Sequence, residues 1–147
     1  MWKGHFVAVD AAKELKEKHP ELNFIFLFVG GNNKIKFFER LKKRIKKNGV
    51  EENIIFAGNI SDMPAIYSIA DVVLSTSIEP EAFGRVSAEG CSMSKPVISS
   101  NHGGSKDIIE NEKTGWLVEP RNPTKLAEKI IQVINMPEKK KDQIVKS

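Results

Sequence analysis

The residues that could do chemistry lie close together in the middle of the chain. Glu79 and Glu81 precede Phe83-Gly84, and Glu89 follows after one short segment. If a helix starts near Phe83-Gly84, the amides of Gly84, Arg85 and Val86 lie at its N-terminus, outside the internal ladder. They would form an anion site reinforced by the helix dipole. A glycine at that point lets a ligand approach the backbone closely. Glu81 then stands just before the helix, and Glu89 one and a half turns inside it, about 8 Å farther along the axis. Carboxylates beside a phosphate repel it, so their fitting task is to accept hydrogen bonds from sugar hydroxyls. A nucleotide sugar has that combination of groups. The same spacing equally fits a plainer reading, with Glu79 and Glu81 on a loop surface and Glu89 as a helix-surface charge.

Alternating elements must position these groups. The periodicity predicts a helix from His5 to Lys18, closed off by Pro20, and a buried strand from Asn23 to Val29 that ends at Gly30-Gly31. A basic helix follows from Lys34 to Lys47, then a strand from Asn53 to Ala57, then a helix capped by Ser61 and running to Ala70. Strands at Asp71–Ser75, Lys95–Ser100 and Gly115–Glu119 alternate with helices at Phe83–Ser94, Ser105–Glu110 and Pro123–Ile134. Beyond Pro137 the chain reads as a charged, frayed tail over residues 137–147. Strands separated by helices imply right-handed crossovers and an α/β fold, a Rossmann-like parallel sheet with helices on both faces. Residues 3–136 form its one domain. Ligands of such sheets bind at the carboxyl ends of the strands, where Gly30, Asn59, the 76–83 loop and Gly103-Gly104 collect.

Composition narrows the classes further. The chain has 147 residues, 40% of them hydrophobic and 29% charged, as a globular protein of one domain does. Its longest apolar run, Phe24 to Val29, is far short of a membrane span, and charges at Asp10, Lys13 and Glu14 interrupt any secretory signal. A single cysteine, Cys91, excludes an internal disulfide framework and suits a cytoplasmic protein; it reads as packing. His5, His19 and His102 lack ligand-like spacing, so no metal site is expected. The net charge of +4 is concentrated between Lys34 and Lys47 and in the tail. These stretches could attract an anionic membrane surface, but Phe38, Leu41 and Ile45 recur at helical spacing, which makes the lysines a solvated face. Lysine far outnumbers arginine, poor material for phosphate-fork recognition of nucleic acid.

The segment EAFGRVSAEGCSMSKPVISSNHGGSKDII, followed by GWLVEP, resembles the Glu-x7-Glu signature of family 4 glycosyltransferases, retaining enzymes of the GT-B architecture. FAGNI at 56–60, YSIADVV at 67–73 and Lys3-Gly4 match further family motifs, so the resemblance runs from residue 3 to about 135. It implies the donor-binding, C-terminal half of a GT-B fold. The implied function is transfer of a hexose from a nucleotide-diphosphate sugar to a glycan or lipid, with retention, in cell-envelope polysaccharide or lipopolysaccharide assembly. Glu81 would bind hydroxyls of the transferred sugar near the reacting carbon, and Glu89 those of the ribose. The amides of Phe83, Gly84, Arg85 and Val86 would hold the diphosphate, Lys3 would supply positive charge to the leaving group, and Gly30 would admit the ligand. Asn59 and Ile60 would border the base. Aimed amides and a lysine then do the stabilising, so no cofactor or divalent metal is implied.

Single residues carry smaller expectations. Glu89, on an otherwise small and apolar helix, should face inward and be paired. His102 is a loop histidine on the functional edge, Asp107 should cap or orient the Gly103-Gly104 turn, and Trp116 should pack under the last strand. The resemblance lacks an acceptor domain, the first strand of the donor domain and the closing helix. The expectation is therefore a truncated or split enzyme, inactive alone, whose partner is a separate acceptor-domain chain or a second copy; peripheral contact to the inner membrane face is the less favoured option. The lost strand is central in the family's order, so its gap should break backbone hydrogen bonding and expose apolar faces. The alternative is a catalytically silent nucleotide-binding or interaction module. A nucleotide-sugar epimerase is a third reading, and a receiver-like signalling domain is excluded because its acidic cluster is absent.

Overall fold

The computed structural model describes residues 4–30, 34–78 and 84–146. Helix α1 (His5–Lys18) leads to strand β1 (Phe26–Val29), helix α2 (Ile35–Asn48) and strand β2 (Ile54–Gly58). Next come α3 (Met63–Ile69), β3 (Val73–Ser75), α4 (Arg85–Ser92), β4 (Val97–Ser100) and α5 (Gly104–Ile108). Strand β5 (Trp116–Val118) and helices α6 (Pro123–Ile134) and α7 (Glu138–Val145) complete the order. This is the expected α/β alternation, with every strand but β2 shorter than predicted. Helix α3 is capped by Asp62, not Ser61, through Asp62 Oδ1 accepting from the Ala65 amide at 3.2 Å. The cap moves one residue on because a carboxylate there satisfies the first-turn amide directly.

Strand pairing among the described residues is parallel, in two separate sheets. β1 pairs with β2, and β3–β4–β5 form a second sheet. Ile25 is 53% and Ile55 48% exposed. Leu27 pairs with Ile55, so period-two alternation puts Ile25 on that same face.

One core holds both sheets. Ala8, Ala11 and Ala12 give α1 a flat face that seats α6 through Leu126, Ala127, Ile130 and Val133, and Ile98 and Trp116 close the layer beneath. A second, smaller cluster joins Tyr67, Val73, Val97 and Ile109. Gly90 is required here by packing, since an added Cβ would lie 2.7 Å from Val97 Cγ2. One expectation is corrected. The segment after Pro137 is a helix rather than a frayed tail, because Ile144 reaches the main core and is 7% exposed. Arg44 Nη1 lies 2.9 Å from both carboxylate oxygens of Asp10, clamping α2 to α1. The remaining cations of α2 stay largely exposed.

Candidate functional site

Helix α4 starts where the sequence places the anion site. Its N-cap, Gly84, has φ 57 and ψ 46, a left-handed conformation, and the first helical bond runs from the Ala88 amide to the Gly84 carbonyl. The amides before Ala88 thus precede the internal ladder. The start of α4 is seated on the start of α5 so closely that a Cβ at Gly84 would be 2.8 Å from the Ser105 nitrogen and 2.9 Å from the Gly104 carbonyl carbon. Beneath this junction, Ser87 Oγ lies 2.9 Å from Ser105 Oγ and 3.2 Å from Ser99 Oγ, all three side chains being buried. These hydroxyls satisfy one another where apolar side chains would be too large. They were not recognised in the sequence, because serines spaced 12 and 18 apart carry no local signal.

Glu89 is paired, as expected, but not inward. Its side chain is 40% exposed. Oε2 accepts a 2.8 Å hydrogen bond from the Tyr67 hydroxyl, and Oε1 lies 3.4 Å from Arg85 Nε on the preceding turn. Arg85 itself is 88% exposed at the side chain. The outcome follows from helix phase: Ser87 and Gly90 take the buried positions, which leaves Glu89 at the flank. Tyr67 is buried, and that burial, then its bond to Glu89, holds the phenol above its usual range. Val86 packs its side chain against the smaller core cluster, as does Cys91.

The other candidates fall in a second group. The Gly30 amide donates to the Gly58 carbonyl at 2.8 Å, which joins the end of β1 to the residues that lead into Asn59 and Ile60. Gly30 has φ 141 and open space where a Cβ would be, so only backbone conformation selects glycine there. Gly4 sits against the end of β3, its carbonyl accepting from Thr76 Oγ1 at 3.2 Å. His102 Nε2 lies 2.8 Å from the Ser77 carbonyl, which fastens the loop after β4 to the loop after β3. Asp107 is exposed, and no side chain among the described residues caps α5, so the turn at Gly103 is held by backbone alone. Lys3, Glu79, Glu81 and Phe83 lie outside the described residues. Among the described residues no three His, Cys, Asp or Glu side chains gather as metal ligands, and no helix is long and apolar enough to cross a membrane.

Cys91 offers a check on this packing. Burial pushes its thiol up, which lowers the thiolate fraction available to react. Labelling by a disulfide reagent at pH 8 should run several-fold slower, roughly, than for glutathione, and should accelerate in denaturant. Equal rates in the native and denatured protein would show that α4 does not shield it.

Comparison with known proteins identifies the family. The family profile "Glycosyl transferases group 1" matches residues 1–147. A glycosyltransferase from Rickettsia africae ESF-5 is 38% identical, with a TM-score of 0.90 over 99% of this chain and 38% of that one. HepE from Anabaena, solved with UDP-glucose, is 29% identical, with a TM-score of 0.89 over 98% of this chain and 38% of that one. Mannosylfructose-phosphate synthase of Agrobacterium fabrum is 35% identical over 125 residues, 80% of this chain and 27% of its own length. The chain spans 38% of the Bacillus subtilis spore coat protein SA, which it matches at 27% identity. The solved relatives share the GT-B architecture. A left-handed glycine opening α4, the seat on α5 and a carboxylate further along the helix thus sit in a chain matched from end to end: it belongs to the group 1 glycosyl transferases.

Proposed function

We propose that this chain is the donor-binding domain of a retaining, family 4 glycosyltransferase. In this reading it transfers a hexose from a nucleotide-diphosphate sugar to a glycan or lipid acceptor in cell-envelope polysaccharide or lipopolysaccharide assembly. The observation that carries the proposal is the start of α4: a left-handed Gly84 packed on α5, with Glu89 on the flank of the same helix. The amides of Gly84, Arg85 and Val86, with that of Phe83, would hold the diphosphate, and Glu89 would accept from the ribose hydroxyls. Glu81 would meet the transferred sugar, Lys3 the leaving group, Asn59 and Ile60 the base, and Gly30 would leave room for the ligand. Negative charge grows on the departing nucleoside diphosphate, and fixed amides lower that cost without reorganising. The reading therefore assigns no cofactor. HepE, similar over 98% of this chain, is solved with UDP and with UDP-glucose, which supports a nucleotide-sugar ligand.

An acceptor site and a closed cleft are needed to orient reactants and exclude water. The proposed enzyme therefore works in the cytoplasm with an acceptor-binding unit, either in the same polypeptide or in a companion chain. The division of the strands into two separate sheets favours one competing reading, a silent nucleotide-binding module. Titration of the chain with UDP, GDP and ADP tests the proposal, alongside Glu89→Ala. One of the three should bind, and loss of a charged acceptor should weaken it about 10-fold or more. Binding that ignores Glu89 removes the ribose assignment. Sugar transfer restored by an added acceptor-domain chain would decide against the silent module.

A further inference from the structure

We infer that Tyr67 is a positioning residue for the nucleotide: it fixes one oxygen of Glu89 and turns the other toward the ribose hydroxyls. The inference rests on the assignment of Glu89 made above. Tyr67 is the one buried residue of α3, a helix of only seven residues. Its ring is packed with Val73 of β3, Val97 of β4 and Ile109 just after α5. The place of the phenol is therefore set by the sheet, not by the mobility of a surface side chain. A second tie joins α3 to the turn between α4 and β4, as Lys95 Nζ donates to the Ser68 carbonyl at 3.0 Å.

The two oxygens of Glu89 then differ in kind. Oε2 faces a buried donor that stays protonated, because burial and the carboxylate itself both oppose ionisation of the phenol. Oε1 is left to Arg85, whose Nε is 3.4 Å away on an almost fully exposed side chain, and the Glu89 side chain is itself 40% exposed. Exposed pairs of this spacing are weak and easily exchanged. A ligand hydroxyl can displace Arg85 from Oε1 without disturbing the bond to Tyr67, since a carboxylate accepts several donors at once. Without Tyr67 the carboxylate of Glu89 would be free to swing toward Arg85, and the ribose would meet an acceptor it must first reorient. The cost would fall on contacts to the ribose hydroxyls and on nothing else in the ligand.

That selectivity is the test. The wild-type chain, Tyr67→Phe and Glu89→Gln are titrated with whichever of UDP, GDP and ADP binds most tightly, and with its 2′,3′-dideoxy form. Tyr67→Phe should weaken the parent nucleotide about five- to tenfold and leave the dideoxy form unchanged. Glu89→Gln should erase most of the preference for the parent over the dideoxy form. Equal weakening of both ligands by Tyr67→Phe, or no weakening of either, would overturn the inference while Glu89→Gln still upheld the ribose assignment. If Glu89→Gln leaves the preference intact, or none of the three nucleotides binds, the ribose assignment falls and this inference with it.

Discussion

Gly4→Ala should lower stability by roughly 2–5 kcal/mol, the sum of left-handed backbone strain and overpacking. Gly4 caps α1 at φ 78, and a Cβ there would lie 1.7 Å from the Thr76 carbonyl oxygen and 2.6 Å from its carbon. Those are backbone atoms at the end of β3, so they cannot rotate aside, and either α1 or β3 must move. A control separates the two costs. Gly49, the C-cap of α2, has a similar φ of 68, but nothing lies within 4 Å of its added Cβ. Gly49→Ala should therefore cost only about 1 kcal/mol. Urea unfolding of the three proteins measures the difference, and a midpoint shift equal for both variants would show that α1 does not press on β3.

Trp116→Ala should cost about 3–5 kcal/mol, the range for emptying a large aromatic site. Trp116 is fully buried, pairs with Ile98 across β4 and β5, and lies in the core that α1 and α6 cover. A domain of this size has a stability of about 5–15 kcal/mol, so the variant would keep little margin. Trp116→Phe should be much milder. The indole Nε1 is buried and finds no hydrogen-bond partner among the described residues, so replacing it removes an unsatisfied donor while a ring still fills most of the space. Calorimetry of both variants decides the matter: an alanine variant as stable as the phenylalanine one would mean that β5 collapses onto the vacancy. Neither change touches Gly84 or Glu89, so the folded fraction should bind nucleotide like the parent.

The site was legible in the sequence where its signal is local. Gly84 before a small, apolar helix announces a close backbone approach, and Gly4, Gly30 and Asn59 stand at element ends that punctuation by glycine and asparagine marks out. Glu89 was legible as a paired carboxylate but not in its direction, since the phase of α4 depends on which of its residues the sheet buries. Tyr67 stood in a recognised motif without a role, because its partner is 22 residues away and only the packing of α3 on α4 brings them together. The same holds for α7, whose many lysines read as a tail until Ile144 finds the core.

Hydrophobic periodicity and turn residues determined the order and kind of the elements, because helices and strands bury apolar groups at fixed intervals along the chain. The linked motifs determined the family. Tertiary structure alone decided the register in which the strands pair, that Asp10 claims Arg44, and which oxygen of Glu89 Tyr67 takes. These are contacts between residues far apart in sequence, and their energies depend on distances that no short window of residues contains.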